Sequence, residues 1–225
     1  MRTEPSTRTL LAPIMGMGTA MSLYLLLRPY GDASGNPDES AAAFASPWWL
    51  VSHLFGMLAI AQLGRLSLRL DDLAVASGER SWSTRSGRTL ALVGMALSLP
   101  YYGVEAFGLH VVGRAHLANP GAGAILLAEQ IRSQPAALAV FGLGLLALAA
   151  AAVLVGINWS RLGGGAWAWP LAVVLALFAP QFALPPAGRV AYGLLIAGLA
   201  ALWLVGAAVR RRRAAAEAAD RLAMA

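Results

Sequence analysis

The chain has 225 residues, is 58% hydrophobic and only 12% charged, and carries a formal net charge of +6. Soluble domains hold about 25% charged residues, and one small domain cannot bury nearly all of such a chain. Composition therefore excludes a water-soluble domain and points to an integral membrane protein, with a mean hydropathy of +0.63. Every one of the 17 basic residues is Arg, and they gather at the ends of apolar segments. That placement reads as membrane topology, not as a nucleic-acid surface. Cys is absent, which excludes disulfides and thiolate chemistry.

Spanning a bilayer takes about 20 apolar residues. The first stretch that qualifies is 9–27. It is longer than the apolar core of a signal peptide, so it is expected to be a retained helix. Residues 28–46 are rich in Gly, Pro and Asp and are expected to be loop. The second span, 47–68, opens with Pro47, Trp48 and Trp49. Residues 69–88 mix charge, Ser and Gly and read as a cytoplasmic loop. The third span is 89–112. In the connection that follows, Asn119-Pro120 looks like a helix cap with Pro at the first helical position. Ala124, Leu127, Ala128 and Ile131 then share one face, opposite Glu129, Gln130 and Arg132. A short helix on the outer surface is one expectation, an ordinary loop the other.

The fourth span is 135–157. The fifth, 166–184, is short and holds Pro170, Pro180 and Gln181, so spanning and re-entrant forms both stay open. The sixth, 189–209, runs into a basic tail, 210–225, led by Arg210 to Arg213. The expected fold is a single all-α transmembrane domain over 1–225, a polytopic bundle of six transmembrane helices in the cell membrane. With the N-terminus inside, thirteen of the seventeen Arg fall on the cytoplasmic side and four (Arg28, Arg114, Arg132 and Arg189) outside. Both termini are therefore expected to be cytoplasmic. Alanines four apart, Ala147 with Ala151 and Ala197 with Ala201, would let helix backbones approach closely. Asn158-Trp159-Ser160 matches a glycosylation sequon but falls on the inner side by this count.

Glu105 is the sharpest functional signal. A charged group at the centre of a membrane helix costs about 2.5–3.5 kcal/mol, and such residues face the bundle interior and mark sites. At 1.5 Å per residue, Glu105 lies roughly 10 Å below the outer edge of the third span and His53 roughly 9 Å below that edge in the second. Tyr101 and Tyr102 share a helical patch with Glu105, and Trp49 precedes His53 by four residues. Gln181 falls at a similar level. Tyr24, Trp48, Trp49 and Tyr192 also stand where interfacial anchors belong. Glu105 is expected to face inward with His53, a Tyr hydroxyl or Gln181 as its partner. Pro100 and Pro180 are expected to kink their helices there.

The expectation is a pocket in the outer half that binds or handles a small hydrophobic or lipid-like molecule. Glu105 and His53 would be its central, or catalytic, pair, and Tyr101, Tyr102, Trp49 and Gln181 its ligand contacts. One alternative is a membrane-embedded enzyme with Glu105 as general acid, for example in isoprenoid cyclisation. Another is an accessory subunit with a partner membrane subunit. Bis-histidine haem ligation by His53 and His110 is a weaker fit in depth. No metal or other cofactor is expected. The expected partners are the lipid bilayer and a hydrophobic small molecule, not nucleic acid.

Overall fold

Ser46-Pro47 starts the longest apolar helix of the first half. The Ser46 side chain accepts a hydrogen bond from the Trp48 N–H, and Pro47 takes the first position, where no donor is needed. The computed structural model describes residues 7–165, 168–178 and 180–223, and its described elements are all helical, with no strand among them. They are α1 (Leu11–Leu27), α2 (Pro37–Ala45), α3 (Pro47–Ser77) and α4 (Trp82–Gly103). A π-helical turn (Val104–Gly108) joins α4 to α5 (Leu109–Ala118). Then come α6 (Ala124–Arg132), α7 (Pro135–Trp159), α8 (Ala168–Ala176) and α9 (Pro186–Ala223).

Four helical stretches are long and apolar enough to cross a membrane: Pro47–Ser77, Trp82–Ala118, Pro135–Gly164 and Pro186–Trp203. The shorter α1 is apolar over its 17 residues. On α7, Leu143 and Leu146 are exposed while Leu145 and Leu148 are buried. A helix that is apolar on both its buried and its outer face suits a lipid environment, not water. The chain is thus a helical membrane protein.

α4 packs chiefly on α7, α1 on α3 and α9, and α7 on α8. Glycine decides the closest of these contacts. A Cβ on Gly94 would lie 2.7 Å from Leu148 Cγ and 2.9 Å from the Gly144 carbonyl oxygen. A Cβ on Gly18 would meet that of Ala200 at 2.8 Å. Of the expected alanine pairs, Ala151 is buried and Ala147 partly buried, whereas Ala201 is exposed.

Several expected loops fold into helix. Residues 69–77 continue α3, with Leu70, Leu73 and Ala74 buried. Buried Asp71 accepts hydrogen bonds from Arg80 and Arg88, and Gly78, at φ +76°, ends the helix in the left-handed region. Residues 37–45, also expected as loop, form α2. Asn36 caps it through the Asp38 N–H, and Pro37 stands first. α2 lies on α5, where Gly113 leaves room: a Cβ there would come within 2.6 Å of the Ala41 carbonyl oxygen.

The expected short helix exists as α6, but it begins at Ala124. Asn119-Pro120 opens a separate 3-10 turn, Pro120–Ala122. Its buried residue is Ala128, flanked by Ile125 and Ile131, whereas Leu127 points outward. Of the fifth expected span, α8 is a nine-residue α-helix and Pro180–Ala183 a 3-10 turn. Residues 166, 167 and 179 lie outside the described residues. α8 alone rises about 14 Å, less than half of a hydrocarbon core of about 30 Å.

Two cores result. The larger joins α1, α3, α7, α8 and α9 around Met17, Leu66, Val155 and Phe178. The smaller, Phe44, Trp49, Leu109, Val112 and Ala128, fastens α2, α5 and α6 over one end of the bundle. The candidate site lies at that end.

Candidate functional site

The π turn sets the site. Pro100 sits inside α4, and one turn later the Leu109 N–H reaches back five residues to the Val104 carbonyl. Such turns re-aim side chains and backbone. Here the Glu105 carbonyl accepts a 2.6 Å hydrogen bond from Trp49 Nε1 of α3. Trp49 is fully buried and is the hub of the site. Its ring lies 4.3 Å from His53 and 4.8 Å from Phe44 between centroids. The guanidiniums of Arg28 and Arg132 approach it at 4.9 and 5.6 Å. Both are cation–π contacts.

The partner of Glu105 is Arg132, from α6. Arg132 Nε donates to Glu105 Oε1 at 2.9 Å and Nη2 to Oε2 at 3.0 Å. This is the two-point fork that Arg makes with a carboxylate. The same Nη2 donates to Asp32 Oδ2 at 3.0 Å, and Arg28 Nη2 donates to that oxygen at 2.6 Å. A chain of four charges thus links the end of α1, the turn at Gly31–Ala33, α6 and the π turn. Burial opposes the charge on Arg28, but Tyr24, Asp32 and Glu105 outweigh it and raise its pKa above the usual arginine value. Burial likewise opposes the charge on Arg132, and Glu105, then Asp32, outweigh it.

His53 is buried on α3. Its Nδ1 lies 2.7 Å from the Trp49 carbonyl, so Nδ1–H donates there. In the neutral ring that leaves Nε2 as an acceptor. Nε2 is 3.8 Å from Glu105 Oε2, close but beyond hydrogen-bond length.

These groups line a cavity of about 440 Å³, together with Tyr24, Tyr101, Tyr102, Phe141, Phe182 and Arg189. Ligand pockets run from about 300 to 1,000 Å³. One wall is aromatic: Tyr101 stacks on Phe141 at 4.4 Å, and Phe141 meets Tyr102 and Phe182 edge-on. The charge chain lines the cavity as well. Tyr101 donates a long hydrogen bond to the Arg132 carbonyl. Buried Tyr102 OH, Arg28 Nε and Asp32 Oδ1 have no hydrogen-bond partner among the described residues.

Of the residues singled out in the sequence, Glu105, His53, Tyr101 and Tyr102 line the cavity, and Trp49 stands behind it, holding Glu105 and His53. Gln181 does not line it. It is buried nearby with both amide atoms unpartnered among the described residues, while its neighbour Phe182 faces the cavity. His110 lies apart, with Nδ1 bonded to the Phe44 carbonyl. The expected partners of Glu105 do not include the residue that binds it. In the sequence Arg28 and Asp32 read as loop charges, Arg132 as part of the polar face of a candidate short helix and Arg189 as the edge of the sixth span; one signal could have raised them: lone Arg and Asp residues beside otherwise apolar runs.

The opposite end of the bundle has its own polar cluster. Ser83 donates to Asn158 Oδ1 at 2.6 Å, and Asn158 donates to the Ser83 carbonyl at 3.1 Å. Asn158 is therefore buried between α4 and α7, and the sequon around it is not open to modification. Among the described residues no group of three or more His, Asp or Glu side chains could hold a metal ion. No family model, no curated protein and no solved structure matches this chain.

Proposed function

We propose that this protein binds a small hydrophobic or lipid-like molecule in the cavity between Glu105 and Phe141, on the outer side of the cell membrane. The observation that carries the reading is the cavity itself. It has a drug-sized volume, an aromatic wall, and buried polar atoms without partners in its lining. Glu105 serves as an anchored acceptor in this reading. Each of its oxygens already takes a hydrogen bond from Arg132, which argues against a role as general acid. His53 Nε2 is the group free to accept a hydrogen bond from a bound hydroxyl.

The topology proposed with it has six crossings and both termini cytoplasmic. Support comes from which residues meet at each end. Arg28, His53, Glu105, Arg132 and Arg189 share the cavity end, while Arg161 and Leu162 meet Glu79, Ser81 and Thr84 at the other. The chain between Leu162 and Phe182 therefore returns across the bundle through α8. The cavity end holds the Arg-poor side by the positive-inside count.

The topology is open to cysteine labelling, since the chain has no native Cys. In intact cells an impermeant maleimide labels Ala122→Cys and not Glu79→Cys; the reverse pattern overturns the orientation. Binding is open to native mass spectrometry in mild detergent. The wild-type protein retains one small hydrophobic molecule per chain, and Phe141→Trp, which adds bulk to the aromatic wall, weakens its retention. Identical adducts on both proteins would sink the binding reading.

A further inference from the structure

The charges around the cavity do not balance. Three guanidiniums, Arg28, Arg132 and Arg189, face two carboxylates, Asp32 and Glu105. Both carboxylates are already engaged: Arg132 holds Glu105 at both oxygens and shares Asp32 with Arg28. Arg189 is different. Its Nε donates to the Leu184 carbonyl at 3.0 Å and its Nη2 to the Phe182 carbonyl at 2.6 Å, both neutral acceptors. It faces no carboxylate among the described residues. Protonating His53 would only add to the positive excess.

Of the buried cavity atoms without a partner, Arg28 Nε is a donor, the Tyr102 hydroxyl beside Tyr24 can donate as well, and Asp32 Oδ1 is an acceptor. Beyond the aromatic wall, Phe178 lies 6.4 Å from Tyr24 and 5.4 Å from Phe182 between ring centroids. It borders a narrow apolar slot of about 20 Å³, lined by Met17, Met21, Leu63 and Leu148. Methionine walls adapt readily to an inserted chain.

We infer that the ligand is a single-chain amphiphile with an anionic head, such as a phosphate or sulfonate, held by Arg189, Arg28 Nε and Tyr102 OH. Its apolar tail leaves past Phe141 and Phe182 toward Phe178. This rests on the binding reading above and narrows it. A cationic head is disfavoured because three guanidiniums already outnumber the two carboxylates around the cavity. The uncompensated positive charge is carried by Arg189, which lines the cavity and is only partly buried.

The test uses the full chain in mild detergent and four probes: hexadecyl phosphate, hexadecanol, hexadecylamine and inorganic phosphate. Thermal unfolding and native mass spectrometry read binding. Hexadecyl phosphate is expected to stabilise the protein and bind one per chain, with the other three clearly weaker. Arg189→Gln is expected to weaken hexadecyl phosphate binding by about tenfold or more, while hexadecanol binding stays unchanged. Should that variant fold poorly, the ranking of the probes on the wild-type protein decides alone. Equal binding of hexadecanol or hexadecylamine overturns the anionic head and leaves the binding reading standing. Equal stabilisation by inorganic phosphate overturns the tail. Binding of none of the four overturns this inference, and loss of the co-purified molecule in the mass spectra would take the binding reading with it.

Discussion

Glu105→Gln is expected to lower unfolding stability by about 2–4 kcal/mol, which a denaturant or thermal titration in detergent would read. Removing one partner of a buried ion pair costs about 3–5 kcal/mol, because a charge is left buried and unpaired. The lower range applies here because the Arg132 side chain keeps 24% of its surface exposed. In the variant, Arg28 and Arg132 share the single carboxylate of Asp32, and their repulsion is no longer offset. The double variant Glu105→Gln, Arg132→Gln removes both charges and should recover most of the loss, so the two substitutions are strongly non-additive. A single variant within about 0.5 kcal/mol of wild type, the range of an ordinary surface change, would mean the charge chain does not hold α6 to the π turn.

Trp49→Ala should cost more, about 3–5 kcal/mol, as for other buried aromatic truncations. The residue is fully buried and joins both parts of the site. Its loss opens a cavity under Phe44 and His53, removes the donor to the Glu105 carbonyl, and takes away the ring beneath Arg28 and Arg132. Trp49→Phe separates these effects. It keeps most of the volume but leaves the Glu105 carbonyl without the indole donor, a cost of about 1–3 kcal/mol. If Trp49→Ala unfolds with stability close to wild type, Trp49 is an interfacial anchor and nothing more, the role its place at the start of α3 first suggested. Ligand retention should fall in both variants, further in Ala, because His53 and Glu105 are both oriented through this ring.

Much of the architecture was legible in the amino-acid order alone. Apolar run length marks a helical membrane protein, because the bilayer demands continuous apolar helix and leaves few alternatives. An intramembrane carboxylate marks the site, because its burial is costly enough to need a reason. Glu105, His53, Tyr101 and Tyr102 could be placed together because 1.5 Å per residue converts sequence position into depth. The same rule misplaces Gln181, because depth does not determine which way a side chain turns in a broken segment.

Tertiary structure decided the rest. Arg132 is 27 residues from Glu105, and Asp32 is 100 from Arg132. No local period relates such positions, so their pairing depends on how α6 and the Gly31–Ala33 turn fold over the end of the bundle. α2 formed where a Gly- and Pro-rich stretch suggested loop, because Asn36 and Pro37 start a helix that Gly113 gives space to dock. The residues that determine the membrane class act through composition and periodicity, which any reader of the chain can count. The residues that set the charge of the cavity act through distances between remote segments, and those exist only once the helices have packed.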